Sequence, residues 1–278
     1  MKTAIDEYQR ATQADPNYAD AFAGLSLTYS IAIGYINDTA KQFGPLADQA
    51  ARRAVELAPA FGAAHLALAE ARDTVWDWAG AWPEYQKAIN LSPNDATTHY
   101  LYAYTFLLPQ KRLDEALTEF RRALDLDPLS PIINANHATT LMIAGKYDEA
   151  DAQFRHAQQI DANFAPLNLR MGEFLAFRGK FEEAEAAFDK SGGEIQWPPG
   201  REGFYHALLS STYPVAPDAQ ESFAAIALGD KERAMQALEL VEKVSPDDIF
   251  VHVRRPEFES LRGKPRFQAL LRRINLQP

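Results

Sequence analysis

Six histidines are the residues of this 278-residue chain best suited to chemistry: His65, His99, His137, His156, His206 and His252. His65 and His99 stand 34 residues apart. In a repeating structure that spacing would set two imidazoles side by side, as a shared ligand requires. A metal centre also needs further donors at ligand spacing, and none accompanies the pair. The residues favour a plainer role, in which each ring fills a packing position. The chain has no cysteine, which removes disulfides, thiolate ligands and thiol nucleophiles. It carries no His-Glu-x-x-His, phosphate loop, Gly-x-Ser-x-Gly or dinucleotide fingerprint. Gly24-Leu-Ser-Leu-Thr departs from a nucleophile elbow at its second glycine and lies on a predicted helix. No catalytic residue, metal site or cofactor is therefore expected.

Trp76, Trp78 and Trp82 form the one aromatic cluster that could cage a ligand. Packing of a turn between helices is the favoured reading, since aromatics dominate cores. The net charge of −10 opposes nonspecific binding to nucleic acid or anionic lipid. Residues 251–278 carry +5 and the rest −15. That basic tail could touch nucleic acid or membrane, but pairing with acidic neighbours is the favoured expectation. No run reaches the ~18 apolar residues of a membrane span. Met1-Lys-Thr-Ala-Ile-Asp-Glu lacks the apolar core of a signal peptide. A cytoplasmic location is expected.

The elements that position these side chains repeat. Gly145-Lys-Tyr-Asp-Glu-Ala-Asp-Ala-Gln-Phe154-Arg-His-Ala157 recurs 34 residues later as Gly179-Lys-Phe-Glu-Glu-Ala184-Glu-Ala-Ala-Phe188. Earlier it reads Arg112-Leu-Asp-Glu-Ala116-Leu-Thr-Glu-Phe120-Arg-Arg-Ala123. A small residue, an aromatic four on and a small residue three further share one helical face. A proline closes most units, and the steps Pro59 to Pro93, Pro93 to Pro128 and Pro128 to Ala162 are 34, 35 and 34 residues. Such a period marks a repeat array. This chain resembles the tetratricopeptide repeat (TPR) family over nearly its whole length. The resemblance implies an all-α fold, an α-α superhelix of about six helix-turn-helix repeats.

The expected layout is an array over 1–190, opening with a half repeat at 3–16. Five repeats follow at 17–59, 60–93, 94–128, 129–162 and 163–190. The half repeat carries Ala4, Tyr8 and Ala11 and no first helix precedes it, so the chain is expected to be a fragment of a longer protein. The first full unit exceeds the period by nine residues within 31–45, through longer helices or a protruding loop. Residues 191–217 interrupt the rhythm with Gly192-Gly193, Pro198-Pro199 and Pro214, with a short helix predicted over Arg201–Ser211. A final helix pair is predicted over 218–250 and a basic helical cap over 251–278.

In the TPR family the first helices of successive repeats line a concave groove. By their phase the lining here is Asp20, Glu70, Asp73, Tyr100, Tyr104, Asn136, Thr139, Arg170, Glu173 and Phe177. This implies a site for a peptide with aromatic or basic side chains. The carboxylate clamp of chaperone-adaptor members is absent: its slots hold Ala23, Gly24, Leu27, Ala63, Ala67, Thr97 and Leu101. Three stretches look like the C-terminal repeat regions of bacterial multidomain regulators. They are Ala14-Asp-Pro-Asn-Tyr-Ala-Asp-Ala-Phe-Ala-Gly-Leu25, Trp76-Asp-Trp-Ala-Gly-Ala81 and Pro256–Leu271. The expected function is a noncatalytic protein-protein interaction scaffold with a protein or peptide partner, forming the sensor or docking region of such a regulator. The alternatives are homo-oligomerisation of a parent protein, and a small-ligand receptor or enzyme built around 191–217.

Overall fold

The computed structural model describes residues 2–35, 40–192, 198, 200–210, 217–244 and 249–277. Among them every regular element is helical. Helix α1 (Lys2–Ala14) is followed by hairpins of α2 (Ala19–Tyr35) with α3 (Ala40–Leu57) and α4 (Gly62–Asp73) with α5 (Trp78–Leu91). In the next hairpin α6 (Ala96–Leu101) runs on as a π-helical segment, Tyr102–Leu107, and packs on α7 (Leu113–Leu126). Then come α8 (Pro131–Ile143) with α9 (Tyr147–Ile160) and α10 (Ala165–Phe177) with α11 (Phe181–Lys190). Helix α12 (Gly200–Ser210) precedes the pair α13 (Pro217–Ala227) and α14 (Lys231–Val244). The chain ends in α15 (Ile249–Arg254), a 3₁₀ turn (Pro256–Leu261) and α16 (Pro265–Arg273).

The repeat residues do what their spacing requires. Ala81, Tyr85 and Ala88, and their counterparts Ala116/Phe120/Ala123 and Ala150/Phe154/Ala157, are all buried. The alanines admit the neighbouring helix and the ring fills the space beside it. A second device recurs on the first helices. His65 Nε2 and His99 Nε2 lie 2.9 Å from the carbonyls of Pro59 and Pro93. Asn134 and Asn168 donate to the carbonyls of Pro128 and Ala162 at 3.0 Å. In repeats two to five one side chain thus ties its helix to the turn six residues earlier. The Nδ1 atoms of His65 and His99 meet Glu84 and Glu119 at 2.6 Å. Both ring nitrogens are taken up by structure, as the packing reading expected.

Five turns between paired helices, those after α4, the π-helical segment, α8, α10 and α13, each place one residue in the left-handed region, five positions before the first alanine. These are Trp76, Lys111, Gly145, Gly179 and Gly229, with φ of 57°, 60°, 76°, 76° and 86°. The tie residue precedes it by 11 positions in His65–Trp76 and Asn134–Gly145, but by 12 in His99–Lys111. The extra residue of the 35-residue step therefore lies in the first helix of repeat three, and the π-helical segment absorbs it. The excess in repeat one is taken up as helix length: α2 has 17 residues and α3 has 18, with Pro45 inside α3. The turn signals at 36–39 and most of 193–216 fall outside the described residues. The helix predicted there over Arg201–Ser211 corresponds to α12. Helix α1 docks on α2 where Gly24 leaves room for the Tyr8 ring.

The C-terminal segment departs most from expectation. It covers α14, through Arg266 to Glu239 at 2.7 Å and Arg273 to Glu242 at 2.6 Å. It also crosses into the concave side of the repeats. Phe250 meets Tyr104 edge-on at 6.0 Å, Arg255 pairs with Glu173, and Arg254 Nε donates to the Pro109 carbonyl at 2.8 Å. Trp78 Nε1 donates to the Ile274 carbonyl at 3.0 Å, and Asn275 donates to that of Trp76 at 3.1 Å. Phe250, Val253, Phe258, Phe267, Leu271 and Ile274 are buried. At ~1.5–3 kcal/mol each, their burial is comparable with a domain's whole stability of ~5–15 kcal/mol. The segment is part of the core.

Candidate functional site

That packing corrects the reading of the concave residues as an open lining. Glu70, Asp73, Tyr104, Asn136, Thr139 and Glu173 are buried, Tyr100, Arg170 and Phe177 are half-buried, and only Asp20 is exposed. The physical reason is the returning segment 249–277, together with contacts among the lining residues themselves. Asn136 donates to Tyr100 Oη at 3.2 Å, Tyr100 stacks on Tyr104 at 6.3 Å, and Arg170 lies 5.7 Å over the Tyr104 ring. The chemistry expected of an aromatic and basic peptide is supplied from within, by Phe250 and Arg255. Arg255 is buried between Glu173 and Glu257 and over the Phe223 ring at 5.0 Å. Burial alone would lower its pKa, but the two carboxylates outweigh that and hold it raised.

Glu70 and Asp73 form a second cluster, one turn apart on α4. Tyr85 Oη donates within a network that reaches Glu70, Asp73 Oδ2 at 2.6 Å and Thr105 Oγ1 at 2.7 Å. Thr105 also donates to Glu70 Oε1 at 2.9 Å. Asp73 Oδ1 is buried with no hydrogen-bond partner. Burial pushes the Glu70 pKa up to about 7. Burial, then the charge of Glu70, raises that of Asp73 well above its ordinary value. The Tyr85 hydroxyl bridges the two carboxyls, and the Thr105 hydroxyl joins the same network. Burial favours the protonated form of both carboxyls. Among the described residues no group of three or more His, Cys, Asp or Glu is placed to hold a metal.

An accessible site lies on the opposite face. A cleft of about 510 Å³ opens between α5 and α7. Trp82 and Ile89 form one wall, Tyr102 and Leu107 the floor, and Asp114, Thr118 and Glu119 the other wall. Trp82 is 48% exposed. Arg112 clamps Glu115 through two bonds of 2.7 and 2.6 Å at the rim. The tryptophan cluster thus divides. Trp78 is in the core, the Trp76 carbonyl receives Asn275, and Trp82 faces solvent. The cleft has no counterpart among the sequence expectations. Its signal was the 35-residue step, because the π-helical segment that absorbs it supplies the floor.

No family model matches the chain, and no curated protein matches it. Solved structures do match. PilF of Pseudomonas aeruginosa superposes with a TM-score of 0.53 at 20% identity, over 91% of this chain and 96% of that one. TTC0263, a TPR protein of Thermus thermophilus, gives 0.53 at 19% identity over 62% and 88%. IFIT1, in a structure with Gppp-AAAA, gives 0.60 at 15% identity over 99% and 67%. At these identities the likeness concerns architecture. Together with the paired helices, it shows that the chain is an all-α superhelical solenoid of the tetratricopeptide-repeat type.

Proposed function

We propose that the chain is a noncatalytic protein-interaction scaffold that binds its partner in the cleft between α5 and α7. The observation that carries this is Trp82, a large ring left half-exposed above an apolar floor in a chain that buries Trp78, Tyr104 and Phe250. Exposed aromatic rings beside a pocket are the usual anchors of protein binding. The paired charges at the rim fit a polar border around an apolar contact. The partner is a protein segment that presents one apolar side chain to the floor at Tyr102 and Leu107. The setting is the cytoplasmic docking region of a larger bacterial regulator. The resemblance of Trp76–Ala81 and Pro256–Leu271 to the repeat regions of such proteins supports it. The groove residues Glu70, Tyr104 and Glu173 contribute rigidity to this scaffold.

A displayed peptide library selected on the immobilised chain tests the reading. Selected peptides should share an apolar anchor and lose at least tenfold in affinity on Trp82→Ala, with the fold unchanged by circular dichroism. Peptides that bind Trp82→Ala as well as the parent chain would refute the cleft as the site.

A further inference from the structure

Arg254 stands apart from the other buried charges. It is 4% exposed. Its Nε donates to the Pro109 carbonyl at 2.8 Å and its Nη2 reaches the Gln277 carbonyl at 3.4 Å. Its Nη1 is buried with no partner. Among the described residues no carboxylate lies within ion-pair distance of it, whereas its neighbour Arg255 has two. A buried guanidinium paired only with carbonyls keeps its charge at a cost that protein structures ordinarily offset with an anion.

Two further cations gather here. Arg262 Nη2 donates to the Arg254 carbonyl at 3.3 Å, and Arg262 is paired with the exposed Glu259. Lys111 lies two residues beyond the Pro109 carbonyl that Arg254 grips. Its backbone is left-handed, at φ 60°, in the position where three other repeats place glycine. Burial lowers the Arg254 pKa to about 10, with Arg262 adding to the effect. Burial, then Arg254 and Arg262, lowers that of Lys111. Among the described residues one acid, Glu259, faces these three cations, through its pair with Arg262 and its attraction on Lys111, so two positive charges remain in excess.

We propose that Arg254, Lys111 and Arg262 form a binding site for a phosphate dianion, where the C-terminal segment meets the turn of repeat three. Two uncompensated charges match a dianion, and a monocarboxylate would leave one unmet. Guanidinium forks suit the planar faces of a phosphate group. The anion enters beside the exposed Lys111 and replaces the 3.4 Å bond to the Gln277 carbonyl, which is long for a charged donor. Bound there, it fastens the returning segment to the repeats. None of the three cations lines the Trp82 cleft.

Thermal unfolding and isothermal titration with inorganic phosphate, at ionic strength matched by chloride, test the assignment, with phenyl phosphate and acetate as second and third probes. The expected result is a saturable rise in Tm with phosphate and none with acetate. A phenyl phosphate response would extend the ligand class to phosphate esters, and its absence would restrict it to the free ion. Lys111→Gly should keep the fold, because glycine suits that backbone, and weaken phosphate binding about tenfold. Arg254→Met should abolish it. Should Arg254→Met fail to fold, Lys111→Glu takes its place and should abolish binding. No saturable response beyond chloride, or one unchanged in Lys111→Gly and Lys111→Glu, would overturn the assignment.

Discussion

Repeats four and five carry one set of side chains at the recurring slots, whereas repeats two and three depart from it, and repeat three also departs from the 34-residue step. At the aromatic slot, Phe154 and Phe188 become Phe120 and then Tyr85. At the tie position, Asn134 and Asn168 become His99 and His65. At the left-handed turn, Gly145 and Gly179 become Lys111 and Trp76. The same architecture therefore tolerates two chemistries. In the regular half, each position carries the residue its conformation prefers. In the irregular half, less favourable residues persist and gain other partners: Tyr85 gains two carboxyls and Trp76 receives Asn275. The accessible cleft and the buried cations both border this half, as expected if function is placed where local preference is overridden.

The comparison can be broken first at the shared slot. Phe154→Ala should lose ~3–5 kcal/mol, the usual effect of emptying a buried aromatic site. Urea unfolding would measure it. Tyr85→Phe in repeat two keeps the ring and removes one oxygen, so a purely packing role predicts almost no change. The network predicts a loss of ~1–3 kcal/mol, because Asp73 is left without a donor. A loss below a few tenths would make repeat two merely another copy of repeat four.

These slots also show what the sequence could reveal. The Ala–aromatic–Ala period is a local property of one helix face and was readable residue by residue. So was the 35-residue step, but only as a number: a helix can absorb an extra residue as a loop, a longer turn or a π segment, and local pattern does not choose. The groove was misread for a different reason. Of the residues that phase assigns to the concave side, Tyr104 and Glu173 meet the returning segment, and Glu70 meets Tyr85 and Thr105. Whether that side is open depends on the path of residues 249–277, some 80 to 180 positions away. Phe250 was read as the end of the last helix pair and Arg255 as part of a basic cap, because nothing nearby in sequence points either of them to the repeats.

A smaller, pH-dependent effect separates the halves. Glu70 ordinarily titrates near ~4.3 and titrates at about 7 in the fold. Between these values the native state holds a proton that the unfolded chain has released, so stability falls as pH rises, by ~1.4 kcal/mol per pH unit for one proton. Asp73 acts in the same direction. His99, whose pKa is raised by its hydrogen bond to Glu119, contributes stability below its unfolded value that is lost as pH rises through the folded one. His137 opposes them: burial, then Arg121, lowers its pKa to about 4, so stability is lost as pH falls from ~6.5 toward 4. The terms offset in the acid range, and a decline should show above pH ~6.5. Glu70→Gln with Asp73→Asn should flatten that decline, measured by urea midpoints from pH 5 to 9. An unchanged slope would show that the pair is ionised in the native state.

The least effect is expected at the turns, where it tests the equivalence of the two halves most directly. An added Cβ at Gly145 would meet nothing within 4 Å. Gly145→Ala should therefore cost only the left-handed conformation, about 1 kcal/mol. Lys111→Gly makes the reverse change at the equivalent position and relieves that strain, at the expense of a more flexible unfolded chain. If backbone conformation alone decides, the parent should gain up to ~1 kcal/mol from Lys111→Gly, and Tm should rise in both chloride and phosphate buffers. If the lysine charge is retained for an anion, the gain should appear in chloride and shrink or reverse in phosphate. A gain of equal size in both buffers would leave Lys111 with no role that glycine cannot fill.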